Sequence, residues 1–291
     1  MSRKSNTVTR DELDIDAERQ LERALIRLRQ LPQEAIDAIA SRQRSQELSF
    51  AEAAQALGYA TTADVEAAQA SCRKMVVVEK PPLKPGAALT LAHDPFHPHS
   101  EKIRALRTEL MLRHDNKRAN VLAVVSPRAR EGRSVLAAEL ALAFAQLGKP
   151  TLLVDADLRR PGLHRLFNAD NANGLSQALA GHDAQSHVHP VDGAPQLGVL
   201  TSGAVSDNPL ERLSDGHFEA LVRQWRRRYE HIVIDTSPVA DYSDALAVAT
   251  VVGRVVMVSR ACHTPYDSTR DLLRRLTATQ SQVLGAVINH F

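Results

Sequence analysis

The sequence predicts an α/β protein whose mostly parallel sheet is covered by helices on both faces. Three observations predict it. Short apolar runs stand at 121–125, 151–154, 197–200, 231–234, 254–258 and 283–288, helical stretches separate them, and turn residues or carboxylates follow several of the runs directly. Strands buried on both faces read as continuous apolar runs, and parallel neighbours need helical crossovers between them. Ligands of such sheets bind where the strands end at their carboxyl side, so the loops there carry the functional expectations.

Ahead of that region the chain changes character twice. Residues 1–20 are polar and are expected to form a disordered tail. Residues 21–75 read as a small helical module. Leu21, Leu25 and Leu28 recur at helical spacing, as do Ile36, Ile39 and Ala40. Ser49 and Glu52 form a capping-box pattern, Gly58 closes that helix, and Thr62 is expected to cap the next, 63–70. Residues 76–99 carry Pro81, Pro82, Pro85, Pro95 and Pro98 and are expected to be a linker without regular structure. The linker's His93, His97 and His99 suggest a metal site only weakly, because such a backbone offers no rigid ligand frame. Residues 100–291 then form the sheet domain.

The 291 residues suit one large domain with a small appendage. A net charge of +2 gives no global field that would argue for nucleic acid as a partner. Cys72 and Cys262 alone make neither a disulfide framework nor a zinc spacing, which predicts a reducing, cytoplasmic setting. No apolar h-region marks a signal peptide, and no apolar run is long enough to cross a bilayer. Any membrane association is therefore expected to be peripheral, through a partner.

Three loops carry the chemistry. The first, Ser126–Pro127–Arg128–Ala129–Arg130–Glu131–Gly132–Arg133–Ser134, lies between a strand and a helix, where a phosphate-binding loop belongs. Gly132 and Ser134 fit the pattern GxxxxGK[ST], whereas Pro127 replaces its first glycine and Arg133 its lysine. Taken alone, this loop is as well read as an ordinary strand-to-helix turn. The second, LLVDADLRRP, puts Asp155 and Asp157 at a strand end, with Arg159 and Arg160 available for phosphate or a neighbouring subunit. The third, HIVIDTSPVADYSDA, ends its strand on Asp235 in the Walker B arrangement. Oxygen ligands of this kind suit Mg²⁺.

These segments resemble the bacterial tyrosine-kinase family, relatives of the MinD-like P-loop ATPases, and within it the EpsG-type kinases associated with chain-length determinants. LLVDADLRRP is similar to the family's second Walker motif and HIVIDTSPV to its Walker B segment. SEKIRALRTEL carries its E-x-x-R-x-x-R motif as Glu101, Arg104 and Arg107, and Asn208–Pro209 resembles its cap-and-proline helix start. The resemblance runs in order over roughly residues 33–291 and extends to HDPFHPHSEKIRALRTELMLR and LGAVINHF. It implies an ATP- and Mg²⁺-dependent protein-tyrosine kinase or autokinase that regulates exopolysaccharide chain length and export. The implied partner is a transmembrane polysaccharide co-polymerase, and the implied assembly is a homo-oligomeric ring in which Glu101, Arg104 and Arg107 make the contacts between subunits.

The implied roles fall on Arg130, Glu131, Gly132, Arg133, Ser134 and Val135 for the nucleotide, and on Ser134, Asp155 and Asp235 for the metal. Asp155, Asp157 and Arg133 would carry the catalysis. The sequence departs from the family at three points. Arg133 is a planar fork where a compact lysine is usual. Arg128 and Arg130 stand where glycines usually do, in a loop that needs positive φ. The four tyrosines, Tyr59, Tyr229, Tyr242 and Tyr266, are scattered along the chain and form no tail cluster. Two further readings stay open on those grounds: a catalytically impaired scaffold of the same system, and a plain MinD/ParA-like ATPase.

Overall fold

The computed structural model describes residues 22, 25, 26, 28, 29, 31–46, 48–65, 82–113, 119–205 and 207–290. The expectations for the tail at 1–20, for Leu21, for Cys72 and for residues 66–81 lie outside them. The chain divides into two compact units, residues 1–79 and 80–291.

In the first unit, helix α1 spans Gln33–Gln46 and α2 Phe50–Ala56. Leu25, Ile39, Phe50, Ala53 and Ala54 form its core. The Ser49–Glu52 capping box is formed, and Gly58 takes φ 74° just past the end of α2. The next cap is Thr61 rather than Thr62. Its hydroxyl accepts from Asp64 N and its own N–H is taken by the Asp64 carboxylate (2.7 Å), a second capping box one residue earlier than expected.

The second unit contains helices α3 (Thr90–His93), α4 (Pro98–Leu112), α5 (Arg133–Ala145), α6 (Leu163–Leu166) and α7 (Leu175–Leu179), followed by α8 (Pro209–Ser214), α9 (His217–Trp225), α10 (Asp244–Val252) and α11 (Tyr266–Ala278). Its strands are β1 (Asn120–Val125), β2 (Thr151–Asp155), β3 (Val188–Val191), β4 (Ala194–Leu200), β5 (His231–Asp235), β6 (Arg254–Arg260) and β7 (Gln282–Asn289). They form one sheet in the order β3-β4-β2-β5-β1-β6-β7, parallel except for the β3–β4 hairpin. Successive residues of a strand point to opposite faces. Val121, Ala123 and Val125 accordingly enter one core with Ile232, Ile234 and Trp225, while Leu122 and Val124 enter the other with Val233, Leu140 and Phe144. Each fully buried side chain of this size contributes about 1.5–3 kcal/mol.

All six expected strands are present. The seventh, β3, carries Pro190, which cannot donate to a ladder. It lies at the sheet edge, where that costs nothing, and the register shifts beside it.

The linker expectation is corrected over residues 82–99. Leu83 N donates to the Pro190 carbonyl (2.8 Å) and Gly86 N to the Leu166 carbonyl (2.7 Å), while Leu89 and Leu91 are buried in the core around α5. Pro98 does not break structure. It is the first residue of α4, where a missing N–H is harmless. The three histidines take separate local partners. His93 meets the Pro85 and Gly86 carbonyls, His97 accepts from His99 N, and His99 pairs with the buried Glu139 on α5. Among the described residues no three histidine, cysteine or carboxylate groups form a metal cluster.

Candidate active site

The three chemistry-bearing loops meet at the carboxyl ends of β1, β2 and β5. The sheet order makes these strands neighbours, and the register sets Asp155 opposite Asp235. The loop after β1 turns into α5 through Gly132, which is the helix N-cap at φ 88°. Arg130 takes φ 62°, so one of the two arginines at glycine positions does adopt the left-handed conformation, and Arg128 does not. Holding a non-glycine residue there costs about 1–2 kcal/mol. Arg130→Gly should therefore be neutral or stabilising by up to about 1 kcal/mol, less than the full cost because glycine also loosens the unfolded chain. Urea unfolding measures it, and destabilisation beyond that range would contradict the strain.

Glu131 acts through its side chain as well as its backbone. It is 1% exposed, accepts from Arg128 N (2.9 Å) and from the Thr264 hydroxyl (2.5 Å), and its carbonyl accepts from Asn289 (2.8 Å). The nucleotide loop is thus tied to the loop after β6 and to the end of β7. No sequence motif marks Thr264, and Asn289, although it lies in the LGAVINHF segment, is not marked there as a partner of Glu131, because only the sheet order brings the two to it.

Arg133 turns inward and is 7% exposed. Its Nη1 donates to Ser126 Oγ (2.5 Å), its Nη2 lies 3.5 Å from Asp157 Oδ2, and its Nε lies 3.5 Å from Asp235 Oδ1. It is the cation between two buried carboxylates, Asp157 and Asp235. Asp155 is committed to backbone: one oxygen accepts from Asp157 N (3.1 Å), the other from Gly162 N (3.1 Å) and Leu163 N (3.0 Å). Asp157 Oδ1 accepts from Arg159 N (3.3 Å) and Arg160 N (2.9 Å). Arg159, expected to be available for phosphate or a neighbouring subunit, is instead engaged. It grips the buried Asp244 with two bonds (2.6 and 3.1 Å) and lies 4.0 Å above the Tyr242 ring. Arg160 is exposed.

The donor set is of hard oxygens, which suits Mg²⁺. Asp235 Oδ2 is buried without a hydrogen-bond partner, although the Ser134 hydroxyl stands near enough to stabilise the carboxylate. Mg²⁺ characteristically keeps its waters and takes one or two protein oxygens together with phosphates. A single free carboxylate oxygen beside a serine hydroxyl matches that habit, and Asp155, with both oxygens on N–H groups, does not offer itself in the same way.

Burial, and then the Asp235 charge, raise the Asp155 pKa to about 8. Burial also raises Asp235, to about 6, with Arg133 as the main opposing influence. An acid whose pKa is higher folded than unfolded binds more protons in the native state, so it lowers stability as pH rises from its unfolded value towards its folded one. The metal-free protein should lose melting temperature between about pH 4 and pH 8, and Asp155→Asn should flatten that slope. Thermal scans at several pH values test this, and equal slopes for the two proteins would contradict it.

The arginine helix is α4. Arg104 bonds Glu101 (2.6 Å) and reaches back to the Pro95 carbonyl. Arg107 is partly buried and donates to the Ala143 carbonyl (2.8 Å) in the last turn of α5. The three side chains are therefore not equally free for a partner. Asn208 stands at the N-cap of α8 ahead of Pro209 without a side-chain cap bond.

No family model matches the chain. The tyrosine-protein kinase YwqD of Bacillus subtilis is 31% identical over 196 residues, 67% of this chain and 83% of YwqD. The chain belongs to the bacterial tyrosine-protein kinase family. Etk, a tyrosine-protein kinase of Escherichia coli, is 32% identical over 189 residues, 65% of this chain but only 26% of Etk. The solved kinase domain of Etk superposes with a TM-score of 0.65 at 29% identity, over 69% of this chain and 79% of that domain. The Pyrococcus furiosus cell-division ATPase MinD shares the fold alone, at TM-score 0.51 and 20% identity over 59% of this chain and 72% of MinD. Both structures share the α/β fold, a mostly parallel sheet between helices, that the strand order of this chain shows. No helix among the described residues is long and apolar enough to cross a membrane.

Proposed function

We propose that this chain transfers the γ-phosphoryl group of ATP, with Mg²⁺, to tyrosine hydroxyls, and does so in a polysaccharide-exporting system beside a membrane co-polymerase. The observation that carries the catalytic part is the convergence of Arg133, Ser134, Asp157 and Asp235 at neighbouring strand ends in a chain of this family. Bound Mg-ATP supplies the transferable phosphoryl group and a divalent charge on its phosphates. The protein supplies positioning and charge balance, which is most of what phosphoryl transfer needs. Backbone N–H groups of residues 130–135 at the start of α5 face the phosphates. Arg133 neutralises them, Ser134 and Asp235 hold the metal and its water, and Asp157 takes the acceptor proton. Asp155 fixes the loop that carries Asp157.

The test is incubation with γ-labelled ATP, Mg²⁺ and a glutamate–tyrosine copolymer. Label on tyrosine supports the kinase. Nucleotide hydrolysis without tyrosine label would assign a plain ATPase instead, and saturable binding with neither would assign a scaffold. The co-polymerase rests on the resemblance of the arginine-helix segment to the EpsG-type kinases, and peripheral, cytoplasmic placement follows from it.

A ring built through α4 would use Glu101 and Arg104, with Arg107 already spent on α5. Arg104→Ala should reduce oligomer size in light scattering without lowering thermal stability. Arg107→Ala should destabilise the fold by about 1–2 kcal/mol, because it removes a charged bond to a helix C-terminus. Unchanged oligomer size for Arg104→Ala would count against the contact.

A further inference from the structure

The four tyrosines of the chain differ sharply in what their side chains meet. Tyr229 is packed against the core and its hydroxyl is bonded to Gln185 Oε1 (3.1 Å). Tyr242 is half-buried, with the Arg159 guanidinium across its ring. Tyr59 packs against the core of the small helical unit. Tyr266 is 77% exposed at the first position of α11. It follows Pro265 and lies two residues from Thr264, whose hydroxyl is bonded to Glu131 of the nucleotide loop. The exposed phenol thus stands at the same end of the sheet as the nucleotide loop.

We propose that Tyr266 is the acceptor tyrosine of this chain and receives its phosphoryl group from ATP held by a second copy. The proposal rests on the kinase reading above and deepens it by naming the substrate residue. Transfer in trans follows from rigidity: Leu272 and Leu276 anchor α11 in the core, so the helix cannot fold its own first residue into its own site. In the transfer, the Tyr266 oxygen bonds to the γ-phosphorus as the bond from that phosphorus to the β–γ bridging oxygen breaks. The bonding pair leaves with ADP, and the phenolic proton passes to the carboxylate cluster of the donor copy.

The surroundings accommodate the product. Arg270, one turn along α11, lies with its guanidinium 6.0 Å from the ring and now pairs with Asp267 (2.9 Å) in an exposed contact that carries little energy. A phosphotyrosine dianion at the start of α11 competes for Arg270 on favourable terms, since helix N-termini favour negative charge. Asp267 is the neighbouring charge that opposes it.

The experiment uses the full chain with Mg-ATP, alone and mixed with a tagged Asp235→Asn copy whose own transfer is slowed about 10²–10³-fold, with the tagged copy alone as the reference, and fragment-ion mapping of the tryptic peptide spanning 261–270. Phosphate on Tyr266 of the tagged copy is expected. Tyr266→Phe should remove most phosphotyrosine from the chain while copolymer labelling persists. Phosphotyrosine confined to Tyr59, Tyr229 or Tyr242, or copolymer labelling with none on the chain, overturns this proposal and leaves the kinase standing. No label on either chain or copolymer overturns both.

Discussion

Arg133→Ala is expected to abolish nucleotide binding and to lower the unfolding free energy by about 3–5 kcal/mol, the cost of removing one member of a buried ionic cluster. Asp155, Asp157 and Asp235 are all nearly inaccessible, and Arg133 is the cation between Asp157 and Asp235. Without it, buried carboxylates repel one another with nothing to offset the cost of their burial. They respond by taking up protons, so the variant should lose more stability at pH 8 than at pH 5. The guanidinium also bonds Ser126 Oγ, at the start of the nucleotide loop, so its loss releases the loop from below. Arg133→Lys should recover most of the stability and binding, because charge is retained while one directional bond is lost. Denaturant unfolding at the two pH values, paired with nucleotide titration, checks this. An alanine variant as stable as the parent would show that the cluster is not organised around Arg133.

Asp235→Asn is expected to separate chemistry from stability. Asp235 carries the buried oxygen with no hydrogen-bond partner, and its neighbour is the Ser134 hydroxyl. Removing one preorganised charge from a phosphoryl-transfer site costs about 10²–10³-fold in kcat, by analogy with the loss of one donor from an oxyanion site. The fold should not suffer comparably. The substitution keeps the shape and the bond from Thr236 N, and it removes one of three mutually repelling carboxylates. At pH 8 the metal-free variant should melt no lower than the parent. Rates with and without added Mg²⁺, together with metal-free melting curves, test both halves. A variant that retains its rate would remove Asp235 from the metal's surroundings, and one that fails to fold would make it a structural residue.

The sequence showed much of the fold for a physical reason. Strands buried on both faces must be continuously apolar, so 121–125, 231–234 and 254–258 could hardly be anything else. β3 escaped because Pro190 reads as a breaker, and only its place at an edge excuses it. Residues 82–99 misled for the related reason that prolines count as interruptions, whereas Leu83, Leu89 and Leu91 bury against the sheet and α5. In the site, Asp155, Asp157 and Asp235 were legible because carboxylates at strand ends are conspicuous. Which of them has an oxygen to spare was not, since that depends on where Gly162 N and Leu163 N point. The partners of Glu131 and Arg159 were equally out of reach. Thr264, Asn289 and Asp244 lie 133, 158 and 85 residues away along the chain; Asn289 and Asp244 fall within segments the sequence singles out, but nothing local pairs any of the three with its partner.

The inward turn of Arg133 also bears on why an arginine can stand in this loop. A lysine at that position would present one compact charge, whereas the guanidinium meets Ser126, Asp157 and Asp235 at once. The loop has thereby exchanged glycine freedom for charge: Arg130 accepts a strained conformation, Glu131 braces the turn from beneath, and Gly132 remains to start α5.

Calorimetric titration of the full chain with ATP in the presence of Mg²⁺ decides whether the altered loop is a working nucleotide site. Saturable binding of one nucleotide per chain is expected, weakening when Mg²⁺ is withdrawn and vanishing in Arg133→Ala. Absence of saturable heat up to millimolar ATP, with the protein shown to be folded, would contradict it.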